Sequence, residues 1–321
     1  LSGGTIVCPS HQACYSARTG DLKEPPALNA LPRFEVRLRG DDIVVRLPEK
    51  IGRMRIPDMV APDPARDPRT FVILGAGAAG NSAAQSLREC GFQGKILMIS
   101  DEADLPYDRP NLDKDYLQGE AKEAWMPLRS EKFYQGRGID LMLGKRAANV
   151  DTRLKTVVFE SGEAIGYDRL LLATGGVARK LGVPGETLAN IFTLRSFDDS
   201  RAVIKACATA SRVVVVEASF IGMESASSLR RRGLEVTVVA PEAVPFERIL
   251  GPEIGKMLRE AHEETGVAFQ LGTTVERFEG EEAVRRVVLK NGNTLEADLA
   301  VVGVGVAPNT GIFKDLRREA D

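Results

Sequence analysis

Twice in this chain a short apolar run leads through a small-residue loop into a helical pattern: FVILGAGAAG at 71–80 and VVVVEASFIG at 213–222. Each is completed by a helix-like stretch, NSAAQSLREC or MESASSLRRRG, and by a second apolar run, KILMIS or EVTVVA. Strands that are apolar along their whole length are buried on both faces, and a parallel sheet with layers on either side is the arrangement that does this. The repeat therefore predicts an α/β chain built from two such units. At 321 residues there is room for both, at roughly 100–200 residues per domain.

In the first unit Gly75, Gly77 and Gly80 make G-x-G-x-x-G, with Ala76, Ala78 and Ala79 between them. The first glycine permits the tight turn, and the second lets the backbone approach a pyrophosphate. The third lets helix and strand pack closely, while the helix N-terminus receives the phosphate charge. The next strand ends ISDE, so Asp101 and Glu102 stand about twenty residues past the last glycine, where an acid binds ribose hydroxyls. The competing reading is a glycine-rich turn with no ligand. The agreement of motif and context favours two Rossmann-like three-layer nucleotide-binding domains.

Three further segments carry a resemblance: LPYDRPNLDKDYL at 105–117, LLLATGG at 170–176 and VVGVGVAPNT at 301–310. In this order they resemble landmarks of the FAD-dependent pyridine nucleotide-disulfide oxidoreductases, in the branch of ferredoxin reductases and apoptosis-inducing factors. The likeness runs from about Thr70 to the last residue. It implies FAD in the first unit and NADH or NADPH in the second. By position it implies that Arg109 and Lys114 contact the flavin half, that Ala147 meets adenine through its backbone, and that Ala173, Thr174, Gly175 and Arg179 lie near FAD. Gly303 and Gly305 mark the return toward the cofactors. Without the PYDRP context, Arg109 and Lys114 read as solvated surface charge. Family members continue beyond the PNT segment to a Gly-Asp motif and a smaller domain; neither stands here, so a fragment with poor FAD affinity is expected.

Against the same pattern, Glu217, Ser219 and Gly222 occupy the three glycine positions of the second unit, with Phe220 and Ile221 between. Only the helix-packing glycine is kept. Glu217 brings a Cβ into a turn that favours glycine. At roughly 6 Å and an effective dielectric of about 20, its charge would repel a pyrophosphate by on the order of 3 kcal/mol, about a hundredfold in affinity. Outward rotation would relieve much of this. A nucleotide site with weakened phosphate binding is the expectation, and a nonbinding relic the alternative. Ala240 stands where an acid often reads the adenine ribose, and Glu242 lies two residues on, in register with Glu102. No arginine sits at that strand end to welcome a 2′-phosphate, which favours NADH; Arg248 keeps NADPH open. Glu224 falls on the first turn of the following helix, and the resemblance pairs it with Lys114 beside the flavin. The plain alternative is an acid complementing its own helix dipole.

Residues 1–50 are rich in short β patterns, and IVCPSHQACY contains Cys8-x-x-His11. With the proline after cysteine and the DIVVRL hairpin, this resembles the second ligand box of a Rieske domain. A Rieske [2Fe-2S] centre needs two cysteines and two histidines. The chain has no C-x-H, and its other histidine, His262, reads as solvated. Residues 1–50 are therefore expected to be the C-terminal half of a Rieske domain whose other ligands lie upstream, with a cluster only in a longer protein. A zinc site of Cys8, His11 and Cys14, or a Cys8–Cys14 disulfide, are the alternatives. The expected organisation is then 1–50 partial Rieske domain, 51–69 proline-rich linker, 70–189 FAD-binding domain, 190–305 NAD(P)H-binding domain, and 306–321 the start of a return to the FAD domain.

Composition narrows the functions. The net charge is −2, with 27% charged residues of both signs interspersed, so no broad basic field for nucleic acid exists. No apolar run approaches the ~20 residues of a membrane-spanning helix. Four scattered cysteines favour a reducing, cytoplasmic setting. Cys90 and Cys207 read as buried packing residues, and no cysteine pair lies between Gly80 and Lys114, which disfavours thiol chemistry. Trp125, Phe133 and Tyr134 read as core. The expected function is NAD(P)H-dependent reduction of FAD with electrons passed to an iron–sulfur centre in cis or to a ferredoxin-like acceptor. The rival is a flavin-binding regulator with weak NADH turnover.

Overall fold

The apolar runs become the strands of two parallel sheets. A computed structural model describes residues 3–313; residues 314–321 of the expected return segment lie outside the described residues. The N-terminal part holds β1 (Thr5–Val7), β2 (Cys14–Ser16) and β3 (Leu22–Glu24) in one antiparallel sheet, then a hairpin of β4 (Glu35–Arg39) and β5 (Asp42–Arg46). Both hairpin strands are exposed along their whole length. Between β5 and residue 69 there is no helix or strand, only a bridge from Arg55 back to Ala30.

The first unit runs β6 (Thr70–Leu74), α1 (Ala78–Glu89), β7 (Lys95–Ile99), α2 (Asp115–Gln118), α3 (Glu131–Gly136), β8 (Ile139–Met142), β9 (Ala147–Asp151), β10 (Thr156–Phe159), β11 (Ala164–Gly166), β12 (Arg169–Leu172) and β13 (Gly176–Ala178). Its parallel sheet has the order β12-β6-β7-β8, and β9–β11 form a separate antiparallel sheet. Side chains alternate along β6 and β7. Ile73, Ile96 and Met98 pack toward Ala84 of α1 and Tyr134 of α3, while Val72, Leu97 and Ile99 pack toward Val150, Val157 and Phe159. Helices, parallel sheet and small sheet thus make three layers.

The second unit repeats this plan with β14 (Ile191–Phe192), α4 (Phe197–Cys207), β15 (Arg212–Val216), α5 (Phe220–Arg231), β16 (Glu235–Ala240), α6 (Glu247–Glu264), β17 (Val267–Leu271), β18 (Val275–Glu279), β19 (Arg286–Leu289), β20 (Thr294–Glu296), β21 (Leu299–Val302) and β22 (Val306–Pro308). The parallel order is β14-β21-β15-β16-β17. Val213, Val215, Val236 and Val238 face Met223, Ala226 and Leu229 of α5, and Val214, Val216 and Val239 face Phe278, Val287 and Leu289. Strands β13 and β22 pair antiparallel and tie the two units together.

Two buried arginines brace the first unit without touching a carboxylate. Arg88, fully buried, donates to the carbonyls of Phe92, Gly94, Arg137 and Gly138 at 2.6, 2.9, 2.8 and 2.7 Å. Arg129 donates to Gln85 Oε1 at 2.8 Å and also reaches the Leu28 carbonyl and Asn29 Oδ1, which fastens the N-terminal part to α1. Two expectations fail here. Cys90 is exposed, because it caps α1 at the solvent edge, and Trp125 is 66% exposed on a surface turn with the Lys122 ammonium over its ring. Tyr134 is buried and Phe133 half-buried; Cys207 is half-buried at the end of α4. His262 is half-buried on α6, its Nδ1 2.9 Å from the Leu258 carbonyl oxygen.

Candidate functional site

The two turns are built alike. Gly75 has φ +116° and donates its N–H to the Ile99 carbonyl at 2.8 Å; Glu217 has φ +92° and donates to the Val239 carbonyl at 2.8 Å. The third positions meet the same obstacle: a Cβ on Gly80 would lie 1.9 Å from the Gly75 carbonyl oxygen, and one on Gly222 2.0 Å from that of Glu217. At the middle position Gly77 has φ −80° and Ser219 φ −95°, both extended. Serine is therefore tolerated there, whereas Glu217 sits in the left-handed region where a side chain is strained.

Around the first turn the structure leaves a cradle. A Cβ on Gly77 would meet nothing within 4 Å, and the N-terminus of α1 has neither a side-chain cap nor an acid in its first turn. Its first N–H groups are free to receive an anion. Ala76 is buried beneath, and Ala78 and Ala79 are exposed at the mouth. Ala173, Thr174 and Gly175 close one side: a Cβ on Gly75 would strike the Ala173 carbonyl oxygen at 2.0 Å, and Thr174 Oγ1 donates to the Asn309 carbonyl at 2.7 Å. These features fit the diphosphate of FAD. Asp101, the more open of the two acids, lies 3.3 Å from Arg146, whereas Glu102 spends one oxygen on Arg109 at 2.7 Å and the other on the Tyr107 hydroxyl. Burial, then Glu102, drives the Tyr107 pKa upward, so the phenol stays protonated. Ala147 lies in β9 opposite Phe159, and Arg179 is exposed, its N–H on the Gly305 carbonyl at 2.9 Å.

At the second turn Gly303 continues β21 and donates to the Val216 carbonyl at 3.0 Å, as Ala173 continues β12 and donates to Leu74 at 2.8 Å. Ile221 is half-buried, and the exposed Phe220 ring packs on Phe246 at 4.8 Å. Ser219 Oγ donates to Glu217 Oε2 at 3.4 Å. Burial first, and Glu242 second, push the Glu217 carboxyl above its ordinary value. Glu242 is paired with Arg248 at 3.1 Å, and Ala240 is buried. The acid near the mouth is thus Glu242, with Arg248 engaged by it.

The 109–113 turn brings the two units together. Ser200 Oγ of α4 donates to the Leu112 carbonyl at 2.8 Å, and Ser228 Oγ of α5 to the Asp113 carbonyl at 2.7 Å. The resulting notch holds Lys114, whose Nζ donates to Glu224 Oε2 at 2.7 Å, to the Pro110 carbonyl at 3.0 Å and to Asp113 Oδ1 at 3.4 Å. Lys114 and Glu224, 110 residues apart, therefore form an ion pair across the units. Arg109 also donates to the Arg195 carbonyl. Arg201, stacked 3.9 Å over Phe197, binds Asp104 at 2.9 Å and Glu123 at 3.0 Å. Sequence reasoning passed over Asp113, Arg195, Arg201 and the two serines; Asp113, next to Lys114, and Ser228, in MESASSLRRRG, lay inside segments already singled out.

Cys8 and His11 sit in the loop between β1 and β2, where the Cys8 N–H donates to the Ala13 carbonyl at 2.9 Å. Among the described residues no group of three His, Cys, Asp or Glu is placed to hold a metal ion, so the Cys8–His11–Cys14 zinc trio is not assembled. Cys8 and Cys14 are both free thiols, and Cys14 Sγ turns to the Gln12 carbonyl instead. Two ligands out of four do not fit a complete [2Fe-2S] centre within this chain.

Residues 69–321 match the pyridine nucleotide-disulphide oxidoreductase family. Human apoptosis-inducing factor 3 is 35% identical over 98% of this chain and 52% of its own length, and the ferredoxin–NAD(+) reductase component of the Paraburkholderia xenovorans biphenyl dioxygenase system is 37% identical over 74% and 58%. The crystal structure of the ferredoxin reductase for the CYP199A2 system from Rhodopseudomonas palustris superposes with a TM-score of 0.73 at 39% identity, covering 76% of this chain and 60% of that one. The chain thus spans about half to three fifths of the length of these relatives. With this match over most of its length, the chain belongs to the pyridine nucleotide-disulphide oxidoreductase family.

Proposed function

We propose that this protein takes electrons from NADH through FAD to a one-electron iron–sulfur acceptor, either a Rieske-type centre in a longer form of the chain or a separate ferredoxin. The observation that carries the reading is the Lys114–Glu224 pair, held where the 109–113 turn meets α5. When bound, FAD supplies acceptance of a hydride and release of single electrons. The chain's own residues bind, orient and shield. Gly75, Gly77 and Gly80 bring the α1 N-terminus to the diphosphate, and Asp101 takes the ribose side while Glu102 fixes Arg109 and Tyr107. Ala147, Ala173, Thr174, Gly175, Arg179 and Gly305 line the rest, and Arg109 and Lys114 approach the flavin half. Ser219, Phe220, Ile221, Gly222, Glu242 and Gly303 receive NADH, and Glu224 fixes Lys114 so that nicotinamide meets a defined charge. Cys8 and His11 are half a ligand set, and no step runs through them here. A similarity to apoptosis-inducing factor 3 that extends over 98% of the chain supports the N-terminal part as belonging to the same protein plan.

The test is flavin reduction in the full-length protein loaded with FAD. Rapid reduction by NADH and turnover with cytochrome c or a ferredoxin are expected. Glu224→Ala is expected to leave flavin content unchanged and to slow reduction by NADH by roughly 100-fold, the lower end of the scale for losing one preorganised electrostatic contact; stopped-flow absorbance measures it, and an unchanged rate would remove Glu224 from the site. The strained Glu217 favours one second reading, a flavin-binding regulator. Slow, weakly saturating reduction with long-lived reduced flavin marks that alternative.

A further inference from the structure

Beneath the Lys114–Glu224 pair lies a carboxyl that the reading above leaves unused. Asp113 is 8% exposed, at the last position of the 109–113 turn, and its Oδ1 accepts a hydrogen bond from Lys114 Nζ at 3.4 Å. One ammonium therefore stands between two acids. Glu224, a third exposed at its side chain, holds it at 2.7 Å, while Asp113 is nearly closed off. Among the described residues no other cation pairs with Asp113. The hydroxyls of Ser200 and Ser228 on α4 and α5 go to the carbonyls of Leu112 and Asp113; Arg201 of α4 is tied to Asp104, Glu123 and Asp198, and Arg232, which caps α5, to the Leu117 carbonyl. Among the described residues the charged groups that act on Asp113 are Lys114 and Glu224.

We propose that Asp113 is a positioning residue that shares the Lys114 ammonium with Glu224 and sets, through its own proton, the net charge the site presents to the flavin. This rests on the reading that the Lys114–Glu224 pair lies beside the flavin. Burial, the largest influence, raises the Asp113 carboxyl to about 6, with Lys114 opposing and Glu224 assisting. Ionised, Asp113 leaves the three groups with a net charge of one negative; protonated, it leaves them neutral. With FAD bound, the two electrons and one proton of a hydride from NADH would add negative charge beside Asp113, which would then take up a further proton from solvent. Below its titration Asp113 is already protonated and nothing is taken up.

The experiment is the flavin midpoint potential of the FAD-loaded full-length protein, followed by absorbance against a reference dye from pH 5 to 8. In the wild type the potential should fall more steeply with pH above about 6 than below it. Asp113→Asn should abolish that break. It should raise the reduced-to-oxidised ratio at pH 8 about tenfold, about 30 mV for a two-electron couple, and match the wild type at pH 5. Should Asp113→Asn fail to fold, Asp113→Ser gives the same readout with a smaller side chain. Curves that coincide for wild type and variant, or that differ by a constant offset at every pH, overturn the proposal. Lys114→Met separates the two levels: if it leaves the potential unmoved, the pair is not beside the flavin and both readings fall. If it lowers the potential while Asp113→Asn does nothing, only the role of Asp113 falls.

Discussion

Replacing Glu217 with glycine is expected to tighten NADH binding about a hundredfold, because a carboxylate at roughly 6 Å from a pyrophosphate repels it by on the order of 3 kcal/mol at an effective dielectric of about 20. The same change should raise stability by about 1 kcal/mol, since φ +92° is a conformation glycine adopts freely and glutamate does not. The structure adds a pH dependence. Burial and the neighbouring Glu242 lift the Glu217 carboxyl above the ordinary carboxylate range, against the Ser219 hydroxyl and Arg248, which lower it. A protonated carboxyl does not repel phosphate. Wild-type affinity for NADH should therefore strengthen as pH falls through the Glu217 titration, and Glu217→Gly should remove that part of the dependence. Titration calorimetry at several pH values measures both. Equal affinities for the two proteins throughout would mean that the carboxylate rotates clear of the phosphates and that the departure from glycine is neutral.

The first turn permits a sharper experiment, because two glycines three residues apart meet opposite surroundings. Gly80→Ala should unfold or badly destabilise the FAD unit, by about 3 kcal/mol, since the added methyl would lie 1.9 Å from the Gly75 carbonyl oxygen and neither backbone has room to move. Gly77→Ala places its methyl in open space, at a φ of −80° that alanine adopts without strain. Its thermal unfolding should match the wild type, yet flavin should bind at least a hundredfold more weakly, because the methyl stands where the diphosphate must approach the backbone. Flavin-to-protein ratio and fluorescence quenching on FAD titration give the comparison. A stable Gly77→Ala protein that still binds FAD with wild-type affinity would move the diphosphate away from this turn.

How much of this was legible beforehand follows from the range of the interactions. Val72, Ile73 and Val213–Val216 are buried by their own strand register, and a run of apolar residues announces that in any context. The glycine turns are equally local: Gly75 and Gly80 are constrained by atoms no more than a few residues away or on the adjoining strand. The same locality exposed Glu217 as out of place. Cys90 and Trp125 went wrong because a single residue at the end of a helix or on a short turn has no periodicity to tell which side it faces. The zinc and disulfide alternatives for Cys8 and Cys14 rested on spacing alone, and the β1–β2 loop orients the thiols apart from such use.

Sequence by itself determined that two strand-turn-helix units exist, which glycines they keep, and which one carries a charge in place of a glycine. Those properties are fixed by backbone sterics and by alternation within a few residues. Only the tertiary structure decided that Asp113 joins the expected Lys114–Glu224 pair, that Glu102 is spent on Arg109 and Tyr107, and that Arg129 fastens the N-terminal part to α1. The Lys114–Glu224 and Arg129 contacts join residues far apart in sequence, and the Lys114–Glu224 pair forms only where the serine-pinned 109–113 turn meets α5.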